Sequence, residues 1–240
     1  MEAEALPRTS AEHVLNRLAD APLRSDPYPH CILADALPDE LYRRAKAHWP
    51  AFETLSLLQF DTAPRRFQAD LGNRSLSAMA PEDAAVWREV RDALFGPETL
   101  ARMAPRFPAL AEKMDRLSKR PAVLNVRLIE DHDGHAMLPH TDVDGTFLSM
   151  LLYMPDDDSQ PHLGTALYRP RDPGFTVPLH RRIERFPRED FDLAGTAPFL
   201  PNHLLVYAPS DRSFHGVEPV AASCVRKFLL LFAMVDPRGP

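Results

Sequence analysis

The sequence predicts a mainly β protein with flanking helices, an α+β fold whose strands dominate the second half of the chain. Residues 1–120 carry apolar side chains at helical spacing between recognisable helix start and stop signals. After Pro121, short apolar runs alternate with clusters of Pro, Gly and Asp, which is typical of a sandwich or barrel of short strands. With 240 residues, the chain can bury a sizeable core as one unit.

Three helices of the first half have clear beginnings. Thr9 and Glu12 fit a capping box ahead of the first apolar stripe. Residues 37–49 form an amphipathic stripe in which Pro38 is expected at the first helical position, and Pro81 begins a further helix. Because no flexible linker follows these helices, we expect them to pack on the β core and share its interior.

The predicted strands occupy residues 122–129, 147–154, 204–207 and 224–235. Several are apolar on both faces, as expected of a sheet that helices cover on one side. We therefore expect residues 1–240 to form a single domain. Within it, residues 1–120 supply mainly helical support and lid elements, and residues 121–236 supply the β core.

Composition and charge exclude several classes of protein. A formal net charge of −6 argues against extended contact with nucleic acid, which requires a basic surface. The two cysteines, Cys31 and Cys224, can form neither a disulfide framework nor a C-x-x-C zinc site. The acidic N-terminus is unlike a signal peptide, and the apolar run at residues 228–235 is too short to span a bilayer. We expect a cytoplasmic protein with no membrane partner.

The candidate site begins with the pair His140 and Asp142. Two ligands at i and i+2 lie on the same face of a strand or converge across a tight loop. With a distant second histidine they can form the 2-His-1-carboxylate facial triad, which leaves metal positions open for substrate and O₂. The pair alone carries little information, because chance predicts about one such spacing in a chain of this composition.

The order of residues around the pair is more specific. Strands flank it on both sides, the distant His215 is followed by Pro219 and Val220, and Arg226 lies eleven residues beyond His215. This order resembles the 2-oxoglutarate- and iron(II)-dependent oxygenase superfamily, most closely the compact bacterial oxygenases related to prolyl 4-hydroxylases. The resemblance covers residues 122–236, which is about half of the chain.

The resemblance implies a double-stranded β-helix, a jelly-roll or cupin-like core packed on the N-terminal helices. It implies iron(II) on His140, Asp142 and His215, with 2-oxoglutarate as cosubstrate and O₂ as oxidant. It also places Arg226 on the distal carboxylate of 2-oxoglutarate. A guanidinium suits that role, because it can meet a buried carboxylate with two parallel hydrogen bonds.

The basic position in the last strand has two candidates. Arg226 shares a strand face with apolar residues, where an unpaired charge is costly. Lys227 points to the opposite face and is the alternative if the register differs by one residue. Family members often place the basic residue ten positions after the histidine, so the spacing of eleven leaves this choice open.

Other residues near the proposed centre have two interpretations each. Asn125 and Tyr153 match strand positions that contact 2-oxoglutarate or substrate in related oxygenases, but each is also a common type of hydrogen-bonded core residue. Arg127 shares the face of Asn125 and either binds substrate or cosubstrate or pairs with a nearby acid. We expect His132 and His135, in the loop before the ligand pair, to be exposed to solvent.

The implied reaction is hydroxylation of an unactivated C–H bond with release of succinate and CO₂. Asp142 supplies the carboxylate that related halogenases lack, whereas desaturation and cyclisation use the same ligands and stay open as alternatives. The expected substrate is a small molecule or a peptidyl side chain. Segments 59–77 and 165–190, each with several arginines, are candidates for substrate contact, although we expect most of these arginines to be solvated.

Two readings from other functional classes also stay open. A zinc hydrolase could use the same three ligands, with metal-bound water as the nucleophile, and would have no need of Arg226. A cupin-like binding or sensor protein could hold the metal without turnover. The sequence does not specify an oligomeric state.

Overall fold

A computed structural model of the chain describes residues 9–58, 65–116, 122–178, 183–221 and 223–236. The α-helices of these residues are α1 Ser10–Asp20, α2 Asp39–Ala47, α3 Asn73–Ala78, α4 Pro81–Leu94, α5 Thr99–Met103 and α6 Pro108–Arg116. The strands are β1 Leu23–Arg24, β2 His30–Leu33, β3 Ser56–Leu57, β4 Arg66–Asp70, β5 Ala122–Asp131, β6 Met137–His140, β7 Thr146–Tyr153, β8 Thr165–Pro170, β9 Phe191–Ala197, β10 Leu204–Tyr207, β11 His215–Val217 and β12 Arg226–Val235.

The described strands form two sheets in which neighbouring strands are antiparallel. The larger sheet has the order β1-β2-β10-β7-β12-β5-β4-β3, and the smaller sheet has the order β6-β11-β8-β9. The long strand β12 lies between β5 and β7, so strands far apart in the chain become neighbours, as in a jelly roll. The predicted fold class, a mainly β double-stranded β-helix with flanking helices, is confirmed.

The two faces of the larger sheet have different partners. Val126 and Leu128 of β5 and Leu229 and Leu231 of β12 share one hydrophobic core with helical residues such as Val90 of α4. The alternate residues of the same strands face the smaller sheet and line a cavity. This explains why the central strands are apolar on both faces. None of the helices in the described part of the chain has the length and apolar character that a membrane crossing requires.

Local signals placed two of the three predicted helix beginnings correctly. The amide of Glu12 donates to Thr9 Oγ1 at 3.2 Å, and the amide of Thr9 donates to the Glu12 carboxylate at 2.8 Å, so the capping box is present. Pro81 begins α4 as predicted. Pro38 is the residue before α2 rather than its first helical residue, because its ψ of 138° is extended and the helix begins at Asp39.

The first half is less purely helical than the sequence predicts, because it supplies four strands to the larger sheet. β1 and β2 lie beyond β10 at one edge, and β3 and β4 lie beyond β5 at the other. These strands have two to five residues, too few for a period to be recognised. Strand β4 lies within the segment 59–77, whose residues 59–64 are outside the described residues.

Candidate metal centre and active site

The three predicted metal ligands lie together in the structure. His140 ends β6, Asp142 follows in the next loop, and His215 begins β11. His140 and His215 are direct register partners in the smaller sheet, so strand pairing brings the distant histidine to the ligand pair. One ligand atom of each residue lies within 4.8 Å of those of the other two, and all three residues are buried.

Backbone carbonyls fix the orientation of both imidazoles. Nδ1 of His140 lies 2.9 Å from the carbonyl oxygen of Leu138, and Nδ1 of His215 lies 3.0 Å from that of Ser213. Because a carbonyl oxygen only accepts, each Nδ1 carries the proton and each Nε2 keeps a lone pair for a metal. Burial and the neighbouring His215 lower the pKa of His140 to about 3, so its imidazole is neutral.

Two hydroxyl groups hold the carboxylate of Asp142. Ser149 and Tyr207 donate to its Oδ2 at 2.7 and 2.8 Å. Its other oxygen, Oδ1, lies 3.8 Å from Nε2 of His215, on the side where a metal would bind. Burial and the adjacent Asp142 raise the pKa of Tyr207 well above its ordinary value, so this phenol stays protonated and donates.

The ligands open into a cavity of about 250 Å³ lined by both sheets. Strand β12 contributes Arg226 and then alternate apolar residues, beginning with Phe228 and Leu230. Lys227 faces the other way, and its Nζ lies 3.7 Å from Asp156. The register therefore places Arg226, not Lys227, on the cavity wall.

Arg226 is fully buried, and three of its nitrogens donate hydrogen bonds. Nη1 donates to Asp131 at 2.8 Å, Nη2 to Thr165 Oγ1 at 3.0 Å, and Nε to the carbonyl of Leu163 at 2.6 Å. Arg66 of β4 also donates to Asp131, through two hydrogen bonds of 2.6 and 2.8 Å. Burial raises the pKa of Asp131, but Arg66 and Arg226 outweigh it and lower that pKa to about 2. Two guanidinium groups thus share one carboxylate.

The remaining candidate residues lie near this centre in different ways. Asn125 lines the cavity, and its Oδ1 accepts from Nε of Arg127 at 2.9 Å. Tyr153 is fully buried and donates to Thr165 Oγ1 at 2.7 Å, which connects it to Arg226 through Thr165. The expectation that His135 is exposed is wrong, because β5 continues to Asp131 and brings the following loop into the interior.

Three arginines of the two basic stretches pair with acids at the surface, as expected. These surface pairs are Arg65 with Asp133, Arg169 with Asp26, and Arg171 with Asp192. Arg66 and Arg185 differ, since both line the cavity. Arg181 and Arg182 lie outside the described residues.

Several residues that shape the centre have no motif in the sequence. Asp131, Arg66 and Ser149 act through partners on other strands, and Tyr207 is indistinguishable from an ordinary core aromatic. One signal was usable for Asp131: a buried arginine requires a counter-charge, and Asp131 ends the strand beside β12.

Solved structures with this architecture include enzymes with bound metal and 2-oxoglutarate. A prolyl hydroxylase of Trichoplax adhaerens, in complex with a peptide fragment of the hypoxia inducible factor oxygen degradation domain, has a TM-score of 0.53 and 15% identity, over 94% of this chain and 89% of that chain. The chain has the fold of the 2-oxoglutarate- and iron(II)-dependent oxygenases. HygX from Streptomyces hygroscopicus, with nickel and 2-oxoglutarate bound, has a TM-score of 0.50 and 11% identity, over 87% and 83% of the two chains.

A third example is the epimerase SnoN of nogalamycin biosynthesis, in complex with Fe³⁺, α-ketoglutarate and nogalamycin RO. It has a TM-score of 0.52 and 12% identity, over 92% of this chain and 83% of that chain. No protein-family model and no curated protein matches the sequence. At identities this low the likeness concerns the fold, whereas the chemistry depends on the site residues of this chain.

Proposed function

We propose that the protein is a non-haem iron(II) oxygenase that uses 2-oxoglutarate as cosubstrate and O₂ as oxidant. One observation carries the proposal: the three buried metal ligands and the fully buried Arg226 line the same cavity. A zinc hydrolase requires the three ligands but no buried cation beside them. A centre that binds a metal together with a dicarboxylate requires the three ligands and also a buried cation.

The ligand set suits iron(II). Two neutral imidazoles and one carboxylate are the donors of the facial triad, and the cavity beside them leaves room for further ligands. When bound, iron(II) with 2-oxoglutarate and O₂ supplies the oxidising power that breaks a substrate C–H bond, with release of succinate and CO₂. The carboxylate of Asp142 completes the protein ligands, which favours hydroxylation over halogenation.

The buried charges of Arg66, Asp131 and Arg226 suit the distal carboxylate of 2-oxoglutarate. Arg66 and Arg226 share Asp131, so one positive charge is left for a ligand. Burying a carboxylate is costly without such a partner. Thr165 Oγ1 accepts from Arg226 and Tyr153, and its own proton is therefore directed away from them and available to a bound carboxylate.

A second hydroxyl is available as a donor. The hydroxyl of Tyr28 is buried and has no hydrogen-bond partner among the described residues. Burial raises its pKa well above the ordinary value, and Asp142 and Tyr153 raise it further, so the group is protonated. The centroid of its ring lies 5.8 Å from that of Tyr207, which donates to Asp142. An unpartnered buried hydroxyl is unfavourable, and a bound carboxylate would satisfy it.

The cavity favours a small molecule or a single peptidyl side chain as substrate. Its volume of about 250 Å³ is small for a ligand pocket, and one wall consists of the apolar β12 side chains Phe228, Leu230, Phe232 and Met234. Apolar walls exclude water from the reacting C–H bond, and they hold the substrate by van der Waals contact rather than by hydrogen bonds.

Loss of one ligand tests the metal part of the proposal. In Asp142→Ala we expect iron(II) binding to weaken at least about ten-fold and 2-oxoglutarate-dependent succinate formation to be lost. Asp144→Ala is the matched control, because Asp144 follows two residues later and pairs with Arg116 at the surface. Full succinate formation by Asp142→Ala would remove this residue from the ligand set.

Loss of the buried cation tests the cosubstrate. In Arg226→Met we expect the affinity for 2-oxoglutarate to fall at least about ten-fold, since a charge-assisted pair is lost. Asp131 keeps Arg66 as partner in this variant, and Lys227→Met is the control on the opposite strand face. Unchanged 2-oxoglutarate affinity with retained metal binding would favour the hydrolase.

A further inference from the structure

A fourth arginine, besides Arg66, Arg185 and Arg226, lines the cavity of the proposed metal centre. Arg127 lies on β5 between Asn125 and Ile129, which also line the cavity, and opposite Leu230 of β12. It is partly buried, and its surroundings on this wall are neutral or apolar side chains. A partly buried cation among neutral and apolar side chains is costly unless a counter-charge pairs with it.

Amide groups hold Arg127 in place without neutralising it. Its Nε donates to Asn125 Oδ1 at 2.9 Å, and its Nη1 donates to Gln68 Oε1 at 3.2 Å. Asp70 is its register partner on β4, but the Asp70 carboxylate accepts from the hydroxyl of Ser75 at 2.6 Å. In the described part of the chain, no carboxylate lies within ion-pair distance of Arg127.

The charges of the proposed centre balance without Arg127. Iron(II) and the dianion 2-oxoglutarate cancel each other, and the carboxylates of Asp131 and Asp142 cancel the guanidinium groups of Arg66 and Arg226. Arg185 also lines the cavity and interacts with other groups of the chain, whereas Arg127 is left without a counter-charge among these groups once metal and cosubstrate are bound. A surplus charge in a partly buried cavity is best compensated by an anionic ligand.

We propose that Arg127 binds a carboxylate of the substrate and that the substrate is a small carboxylic acid with an apolar body. This inference rests on the proposed function, because it names the substrate class of the same site. A guanidinium has five N–H donors, of which Asn125 and Gln68 take two, so a carboxylate can still be met by paired hydrogen bonds. The neighbouring Leu230 and Phe232 supply the apolar contact.

Matched acid and amide probes test this assignment. We use 3-phenylpropionic acid with 3-phenylpropionamide and hexanoic acid with hexanamide, since each pair has one shape and differs in charge. Calorimetric titration is made on the full chain loaded with Zn(II), with and without saturating 2-oxoglutarate. Zinc prevents turnover, and 2-oxoglutarate occupies the position at Arg226.

For the wild type we expect each acid to bind about ten-fold or more tightly than its amide when 2-oxoglutarate is present. Arg127→Gln should abolish the preference, and Arg127→Lys should keep part of it because the charge is retained. Arg102→Gln is the matched control, since Arg102 is an exposed arginine on α5 that pairs with Glu98 and does not line the cavity. It should behave like the wild type.

The outcomes separate this inference from the proposed function. Failure of 2-oxoglutarate to bind the metal-loaded wild type contradicts the oxygenase proposal. If 2-oxoglutarate binds but no acid binds more tightly than its amide, or no probe binds at all, the carboxylate inference is wrong while the oxygenase proposal stands. A preference that persists in Arg127→Gln also overturns the inference, because another residue then holds the carboxylate.

Discussion

Arg226 on β12 lies directly opposite Asp131 on β5, and the two side chains form an ion pair from which solvent is fully excluded. Arg66 is the register partner of Asp131 on the other side, so three charged side chains form a row across β4, β5 and β12. The row explains how the fold holds a buried guanidinium at the cavity wall, since each charge has a hydrogen-bonded partner.

Removing the Asp131 carboxylate, which Arg66 and Arg226 share, should strongly destabilise the folded protein. Asp131→Asn leaves two buried guanidinium groups without a counter-charge, and we expect the free energy of unfolding to fall by about 3–5 kcal/mol. Chemical denaturation at pH 7 measures it. Asp133→Asn, which removes the exposed partner of Arg65, should cost less than about 1 kcal/mol. Equal losses in the two variants would contradict the role given to the row.

The lowered pKa of Asp131 predicts that the free energy of unfolding depends on pH. Its pKa is lowered from 3.8 to about 2 in the folded chain, so the folded state binds this proton less readily than the unfolded state. The resulting stability is fully present above about pH 4 and is lost as the pH falls towards 2. The difference in unfolding free energy between wild type and Asp131→Asn should be constant from pH 7 to 5 and shrink below 4. A difference that already shrinks between pH 7 and 5 would indicate a raised pKa.

Tyr207 should matter for metal affinity although it is not a ligand. Its hydroxyl donates to Asp142 and lies 3.0 Å from Nε2 of His215. In Tyr207→Phe the carboxylate loses one of its two hydroxyl donors, and we expect metal affinity to fall about ten-fold or more in competition with a chromophoric chelator. Tyr168→Phe is the control, because that buried tyrosine donates to Glu218 instead. Unchanged affinity in Tyr207→Phe would show that Ser149 alone positions Asp142.

Tyr28→Phe should separate stability from cosubstrate binding. The hydroxyl has no partner among the described residues, so its removal should leave the unfolding free energy of the ligand-free protein unchanged or slightly higher. If this hydroxyl donates to bound 2-oxoglutarate, the dissociation constant should rise several-fold. Loss of stability together with unchanged 2-oxoglutarate affinity would assign Tyr28 a purely structural role.

Sequence order was sufficient to predict that His140, Asp142 and His215 lie together, because their spacing and the strands that flank them are visible in the sequence. Sequence order was not sufficient to choose between Arg226 and Lys227, because the family's spacing after the distal histidine is compatible with either residue. Strand register decides it: Arg226 faces Asp131 on the inner side, and the side chain of the next residue must point outwards.

The counter-charges could not be read from the sequence for a physical reason. Arg66 meets Asp131 only through the pairing of β4 with β5, which are far apart in the chain. Strand β4 is short, lies next to the sheet edge and carries polar residues, so it has no hydrophobic period. The prediction of a helical first half failed at β2 and β4 for the same reason: their pairing partners, not their own composition, make them strands.

The central claim is that one cavity holds iron(II) on His140, Asp142 and His215 and 2-oxoglutarate against Arg226. An anaerobic titration of the iron-loaded protein with 2-oxoglutarate, followed by visible metal-to-ligand charge-transfer absorption, tests it most directly. The account predicts a band that saturates with one equivalent in the wild type and is lost in His215→Ala. The band should require more 2-oxoglutarate in Arg226→Met but not in Lys227→Met. Iron-loaded wild type that gives no band at any 2-oxoglutarate concentration would contradict the account.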